Sequence, residues 1–174
     1  IPGYAEAFGR LQLDVSSVYF IGKGKIKLGE ATFILHLVSV IMVTVIGLIG
    51  FLNIDFLQNQ IFKNTEMDVQ ELIYGVSLII PLRFIYINYS YLLIAREQIK
   101  AYNKLVIIQA LTTSVLSIGM IVLVDFGILG ALMGSIFGLL ISIIYGITKV
   151  SSIDKMKPNF NTGLFVEMLK YSSQ

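Results

Sequence analysis

Four long apolar stretches, at 31–52, 72–95, 105–124 and 128–148, restrict what this chain can fold into. Each is close to the about 20 residues an α-helix needs to cross a bilayer. None contains Asp or Glu, and Arg83 is the single basic residue inside them. Hydrophobic residues make up 56% of the chain and charged residues 14%, against roughly 45–50% and about 25% in soluble domains. In lipid each backbone polar group must be satisfied within the protein, so the stretches imply helices. The expected fold is an all-α, polytopic transmembrane helix bundle.

The segment 4–21 is long enough for a helix but carries Glu6, Arg10 and Asp14 at four-residue spacing. Such spacing makes one polar stripe. It fits either a surface-lying or truncated helix with solvated charges, or a helix lining a hydrated cavity. Charge in the connections helps to choose. Lys23, Lys25 and Lys27 follow this segment, Arg96, Lys100 and Lys104 join the second and third long stretches, and Lys149, Lys155, Lys157 and Lys170 follow the fourth. The connection 53–71 instead carries Asp55, Glu66, Asp68 and Glu71 with Lys63. Basic and non-basic connections alternate as the positive-inside rule requires, provided 4–21 also crosses. The expectation is therefore about five spans in residues 1–150, with the basic connections cytoplasmic. Residues 151–174 then form a cytoplasmic linker and the start of a further helix. Within 54–61 an apolar–polar rhythm allows a short interfacial helix. The turn at 125–127 makes the last two long helices antiparallel neighbours. The chain opens without Met or a signal peptide and is read as a piece of a longer protein.

Arg83 lies near the middle of its stretch, where a cation costs about 2.5–3.5 kcal/mol on insertion scales. It must face protein, water or a counter-charge. Pro81 removes a backbone donor nearby and is expected to kink the helix. Tyr86 and Ser90 share the face of Arg83, with Asn88 and Tyr91 on neighbouring faces. One reading is a cationic cavity for an anionic headgroup, phosphate above all, because guanidinium offers two parallel charge-assisted bonds. The other is a buried ion pair with Glu6 or Asp14. The same readings hold for Arg10, which Glu6 and Asp14 flank. Those two carboxylates are also the candidates for coupling to a proton or cation.

Gln109, Thr113 and Ser117 form a neutral polar row, suited to helix contacts or a hydrated, sugar-tolerant path. Gly130, Gly134, Gly138, Ser142 and Gly146 form a row of small residues, the spacing that lets helices approach closely in lipid. His36 is read as an interhelical hydrogen-bonding group rather than a proton relay. No catalytic arrangement is evident, and Gly22-Lys23-Gly24-Lys25 lacks the spacing and preceding strand of a phosphate loop. With no Cys and one His, neither a metal site nor a cofactor is expected, and the chain is not read as an enzyme. A net charge of +2 gives no case for nucleic acid.

Four features resemble the polysaccharide-biosynthesis membrane proteins that flip lipid-linked oligosaccharides, within the multidrug and toxin extrusion (MATE-like) superfamily. They are Ser16-Ser17-Val18-Tyr19-Phe20-Ile21-Gly22-Lys23-Gly24-Lys25, then Tyr91-Leu92-Leu93-Ile94-Ala95-Arg96-Glu97-Gln98-Ile99-Lys100-Ala101-Tyr102-Asn103. Phe126-Gly127-Ile128-Leu129-Gly130-Ala131 follows, and Lys157-Pro158-Asn159-Phe160-Asn161 leads to Leu169-Lys170-Tyr171. The resemblance covers essentially the whole chain. It implies roughly helices two to six of an N-terminal half, with a second half elsewhere in the same protein. It further implies a prokaryotic inner or plasma membrane, alternating access between two bundles, and an isoprenoid-linked oligosaccharide as substrate beside membrane lipid. Arg83 and Arg10 are assigned to the headgroup on charge and depth, not on a family motif. A drug or organic-cation antiporter of the same superfamily is the alternative within transport. A non-transporting membrane scaffold subunit is the alternative outside it, and a membrane glycosyltransferase or polymerase fits poorly with such short loops.

Overall fold

The computed structural model describes residues 12–52 and 69–172, and over these it is helical with no strand. Six helices follow one another: α1 (Leu13–Gly22), α2 (Leu28–Leu52), α3 (Val69–Ala95), α4 (Ile99–Val122), α5 (Gly127–Ile153) and α6 (Thr162–Ser172). Four of them, α2 to α5, are long and apolar enough to cross a membrane. The chain is a multi-pass helical membrane protein. The described part of the first expected span, α1, has ten residues, and the rest of 4–21 lies outside the described residues, as does most of the acidic connection 53–71.

The helices overrun the apolar stretches. α2 begins at Leu28, α4 at Ile99, and α5 continues to Ile153. A helix keeps its backbone bonds internal whether its side chains meet lipid or water, so polar residues extend the helix past the bilayer edge.

Two of the basic connections are the same device. In each, the helix ends in a paired reverse bond that satisfies its last carbonyls. At the end of α1, Lys25 N donates to Phe20 O (3.0 Å) and Gly24 N to Ile21 O (2.9 Å). At the end of α3, Gln98 N donates to Leu93 O and Glu97 N to Ile94 O, both at 2.9 Å. The pivotal residues, Gly24 (φ 69) and Glu97 (φ 54), are left-handed. The lysine-flanked glycines at 22–24 are thus a helix stop.

Burial concentrates where the basic connections meet. Leu13, Phe20, Ile26 and Leu28 join Ala31, Ile34 and Leu35, with Leu92, Leu93, Leu105, Val150 and Met168 from the other helices. α6 folds back against α1. Tyr171 stacks on Tyr19 with centroids 4.4 Å apart, and Lys25 pairs with Glu167 at 3.3 Å.

The most extensive contact joins α4 to α5. The small-residue row of α5 faces the polar row of α4. Gly134 lies against Ser117 and Gly138 against Thr113, close enough that an added Cβ would reach their backbone nitrogens at 2.5 and 2.9 Å. Gly146 rests on Tyr89 and Leu105. Gly130, Gly134, Gly138, Ser142 and Gly146 are all buried. Each step of four along α5 meets a step of four back along α4, which puts Gln109 opposite Ser142. The turn between the helices carries left-handed Asp125 and Gly127.

Candidate functional site

The polar residues of α3 are graded from an open face to the core. Arg83 is exposed, Tyr86 is half-buried, and Asn88 and Ser90 are buried. α3 runs through Pro81 as continuous helix. Arg83 sits twelve residues before the end of α3 at Ala95, roughly 18 Å along the axis at 1.5 Å per residue. It therefore lies well inside a helix long and apolar enough to cross a membrane, and its side chain is exposed rather than in a chamber enclosed by the described helices.

Asn88 turns the other way. Its Nδ2 donates to Ser39 Oγ (2.8 Å) and to Leu35 O (3.3 Å) on α2. Ser39 Oγ itself donates to Leu35 O (2.8 Å). This buried triangle is an α2–α3 tie: an amide at this depth needs partners, and α2 supplies them. Ser90 Oγ donates to the carbonyl of Tyr86 (3.0 Å), one turn back on its own helix. Gln109 belongs to the α4–α5 seam, where its Nε2 donates to Thr113 Oγ1 (3.3 Å). The structure thus leaves Arg83 exposed and Tyr86 partly packed against the core, while Asn88 and Gln109 serve two different helix contacts.

Asp14 is 2% exposed in α1. Its Oδ1 accepts the N–H of Val15 (3.0 Å), and its carbonyl accepts the hydroxyl of Ser17 (2.6 Å). Glu6 and Arg10 lie outside the described residues. His36 Nδ1 lies 2.7 Å from Thr32 O, a group that can only accept, so this nitrogen carries the proton. The imidazole meets Tyr89 edge-on at 5.1 Å. Among the described residues no group of His, Asp or Glu could hold a metal ion.

Sequence reasoning missed a polar strap at the basic end. Asp154, just past α5, accepts the N–H of Gly29 in the first turn of α2 (Oδ2, 3.1 Å). Its other oxygen pairs with Lys157 Nζ (3.1 Å). Lys157 N donates to Gly29 O (3.0 Å), and Asn159 Nδ2 donates to Glu30 Oε1 (2.8 Å). Glu30 reaches back to the N–H of Lys27 (3.2 Å), half of a capping box. Lysine has no acceptor to complete it, and Asp154 supplies one from a distant helix. The Gly29 N–H first, and Lys157 second, hold the Asp154 carboxyl below the usual carboxylate range. Gly29 is also where an added Cβ would run into the carbonyl of Lys155.

A second missed cluster lies nearby. Lys104 Nζ sits 5.6 Å and Lys149 Nζ 6.0 Å from the centroid of the Tyr145 ring. The signal was present in the sequence as two lysines flanking apolar stretches, but the register that brings them to one ring was not. Comparison of the chain with protein-family models, curated proteins and solved structures finds no match.

Proposed function

We propose that this chain is part of a transporter that flips or exports a lipid-linked oligosaccharide across a bacterial cytoplasmic membrane by alternating access. The observation that carries the reading is Arg83. A guanidinium exposed along a helix long and apolar enough to cross a membrane is costly against lipid and favourable against water or an opposite charge. Guanidinium is the side chain best suited to a pyrophosphate headgroup, because it offers charge-assisted bonds in a planar fork, while the lipid tail stays in the bilayer. The half-buried phenol of Tyr86, one turn away, adds a donor for phosphate or sugar oxygens. The motif resemblance described above supports the oligosaccharide as cargo and a second bundle as the opposite wall. In this scheme the chain binds and orients, and no covalent step is required of it.

The test is glycan export by the full-length protein carrying Arg83→Ala or Arg83→Lys. Export is expected to fall at least about tenfold for Ala, which loses the guanidinium, and less for Lys, which keeps the charge. Unchanged export at normal protein levels removes Arg83 from the mechanism. Arg83→Cys in this 174-residue chain, which has no cysteine of its own, adds a direct check. A membrane-impermeant thiol reagent is expected to label it through a hydrated path, and protection from both sides of the membrane would place it in lipid.

A second reading rests on Asp14. A carboxylate this buried in α1 is what a drug or organic-cation antiporter would use to bind cargo or a coupling ion. In that case Asp14→Asn abolishes cation efflux and Arg83→Ala spares it.

A further inference from the structure

We infer that the rim of the α4–α5 hairpin at its basic end holds the headgroup of an anionic phospholipid, clamped between Lys104 and Lys149 beside Tyr145. Lys104 precedes the apolar stretch of α4 by one residue, and Lys149 follows that of α5 by one. Both therefore sit at the depth where headgroups begin, and Tyr145 is a residue type typical of that level. The two lysines come from different helices, yet their ammonium groups converge on one half-buried ring. The ring attracts each ammonium group, and each keeps further N–H donors for an acceptor. Among the described residues no carboxylate forms an ion pair with either lysine. An anion beside the ring has two cationic side chains to draw on.

The surface beneath identifies the anion as part of a lipid. Ile107 and Leu111 of α4 are 56% and 60% exposed, and Ile144 of α5 is 61% exposed. Ile107 and Leu111 continue from Lys104 into the apolar span of α4, so an acyl chain can lie directly below the phosphate. Of the apolar window in α4 only 6% is buried against the described residues. Basic pockets between helices on the cytoplasmic side are a known way to hold anionic headgroups.

The chain has no tryptophan, which permits a single-site test. Ile107→Trp places one fluorophore beneath the lysines, and Ile118→Trp places a control on the same helix toward the far end. Both are introduced into the full chain and reconstituted in vesicles of phosphatidylcholine with phosphatidylglycerol, one or the other brominated in its acyl chains. Quenching at Ile107→Trp is expected to report a preference for phosphatidylglycerol, roughly fivefold per lysine from about 1 kcal/mol each. Ile118→Trp is expected to report none. Lys104→Gln together with Lys149→Gln should abolish the preference, with helicity unchanged because both side chains are exposed. Equal quenching by the two lipids overturns the proposal, and so does a preference that survives the double substitution. Loss of the preference on adding inorganic phosphate, but not chloride of equal ionic strength, would assign the site to free phosphate and overturn the lipid assignment.

Discussion

Asp154 Oδ2 accepts the N–H of Gly29 at 3.1 Å, and so the end of α5 caps the start of α2. The two residues lie 125 positions apart, and one bond joins the first long helix to the last.

Asp154→Ala is therefore expected to lower stability by about 1 kcal/mol, the usual cost of a lost N-cap acceptor, while Asp154→Asn, whose amide oxygen still accepts, should cost less. The dependence on pH follows from the lowered carboxyl. A group whose folded value is depressed stabilises fully above its unfolded value, about 3.9. That contribution fades as pH falls from there through the folded value. Unfolding of the purified chain, followed by helicity between pH 7 and 2.5, should show this acid loss in the parent and less of it in Asp154→Asn. Identical curves would remove the capping role.

The two helix stops give a paired test. Gly24 and Glu97 hold the same left-handed position at the ends of α1 and α3. A side chain there costs roughly 1–2 kcal/mol. Gly24→Ala is expected to destabilise by about 1 kcal/mol, and Glu97→Gly to stabilise by a similar amount less the added chain entropy. Midpoints of denaturant-induced unfolding should move in opposite directions.

Much of this architecture was legible in the sequence. Apolar length gave the four long helices, and the short turn at 125–127 gave the antiparallel pair. The four-residue spacing of Gly130 to Gly146 showed the packing face. What could not be read was which row it would meet: the partner proved to be the Thr113–Ser117 row, which composition alone left open between packing and a hydrated path. The direction of Asn88 was similarly undetermined, because one residue of helical rotation separates the open face from the α2 contact. The Asp154–Gly29 bond had no local signature, since both residues are unremarkable in their own segments and their pairing depends on the assembled bundle.

The α4–α5 seam supplies the third test. Gly134→Ala and Gly138→Ala put a methyl against backbone atoms of Ser117 and Thr113, so trimming those side chains cannot make room. Each substitution should cost about 1–3 kcal/mol, the range for overpacking. Ser117→Ala should not rescue Gly134→Ala. Gly47→Ala and Gly119→Ala, where an added Cβ meets nothing within 4 Å, should be neutral or stabilising by up to about 1 kcal/mol. Equal effects at all four glycines would mean that helix propensity, not contact, decides.

A hairpin interlocked at backbone distance has no freedom to shear, so α4 and α5 must travel as one lever. Their attachment to the other described helices runs mainly through α3 against α5, where Gly146 lies close against Tyr89. In an alternating-access cycle a pivot there would make the hairpin the moving arm. From there to the tip at Gly127 is about 28 Å of helix, so a rotation of about 10° would carry the tip about 5 Å across the bilayer.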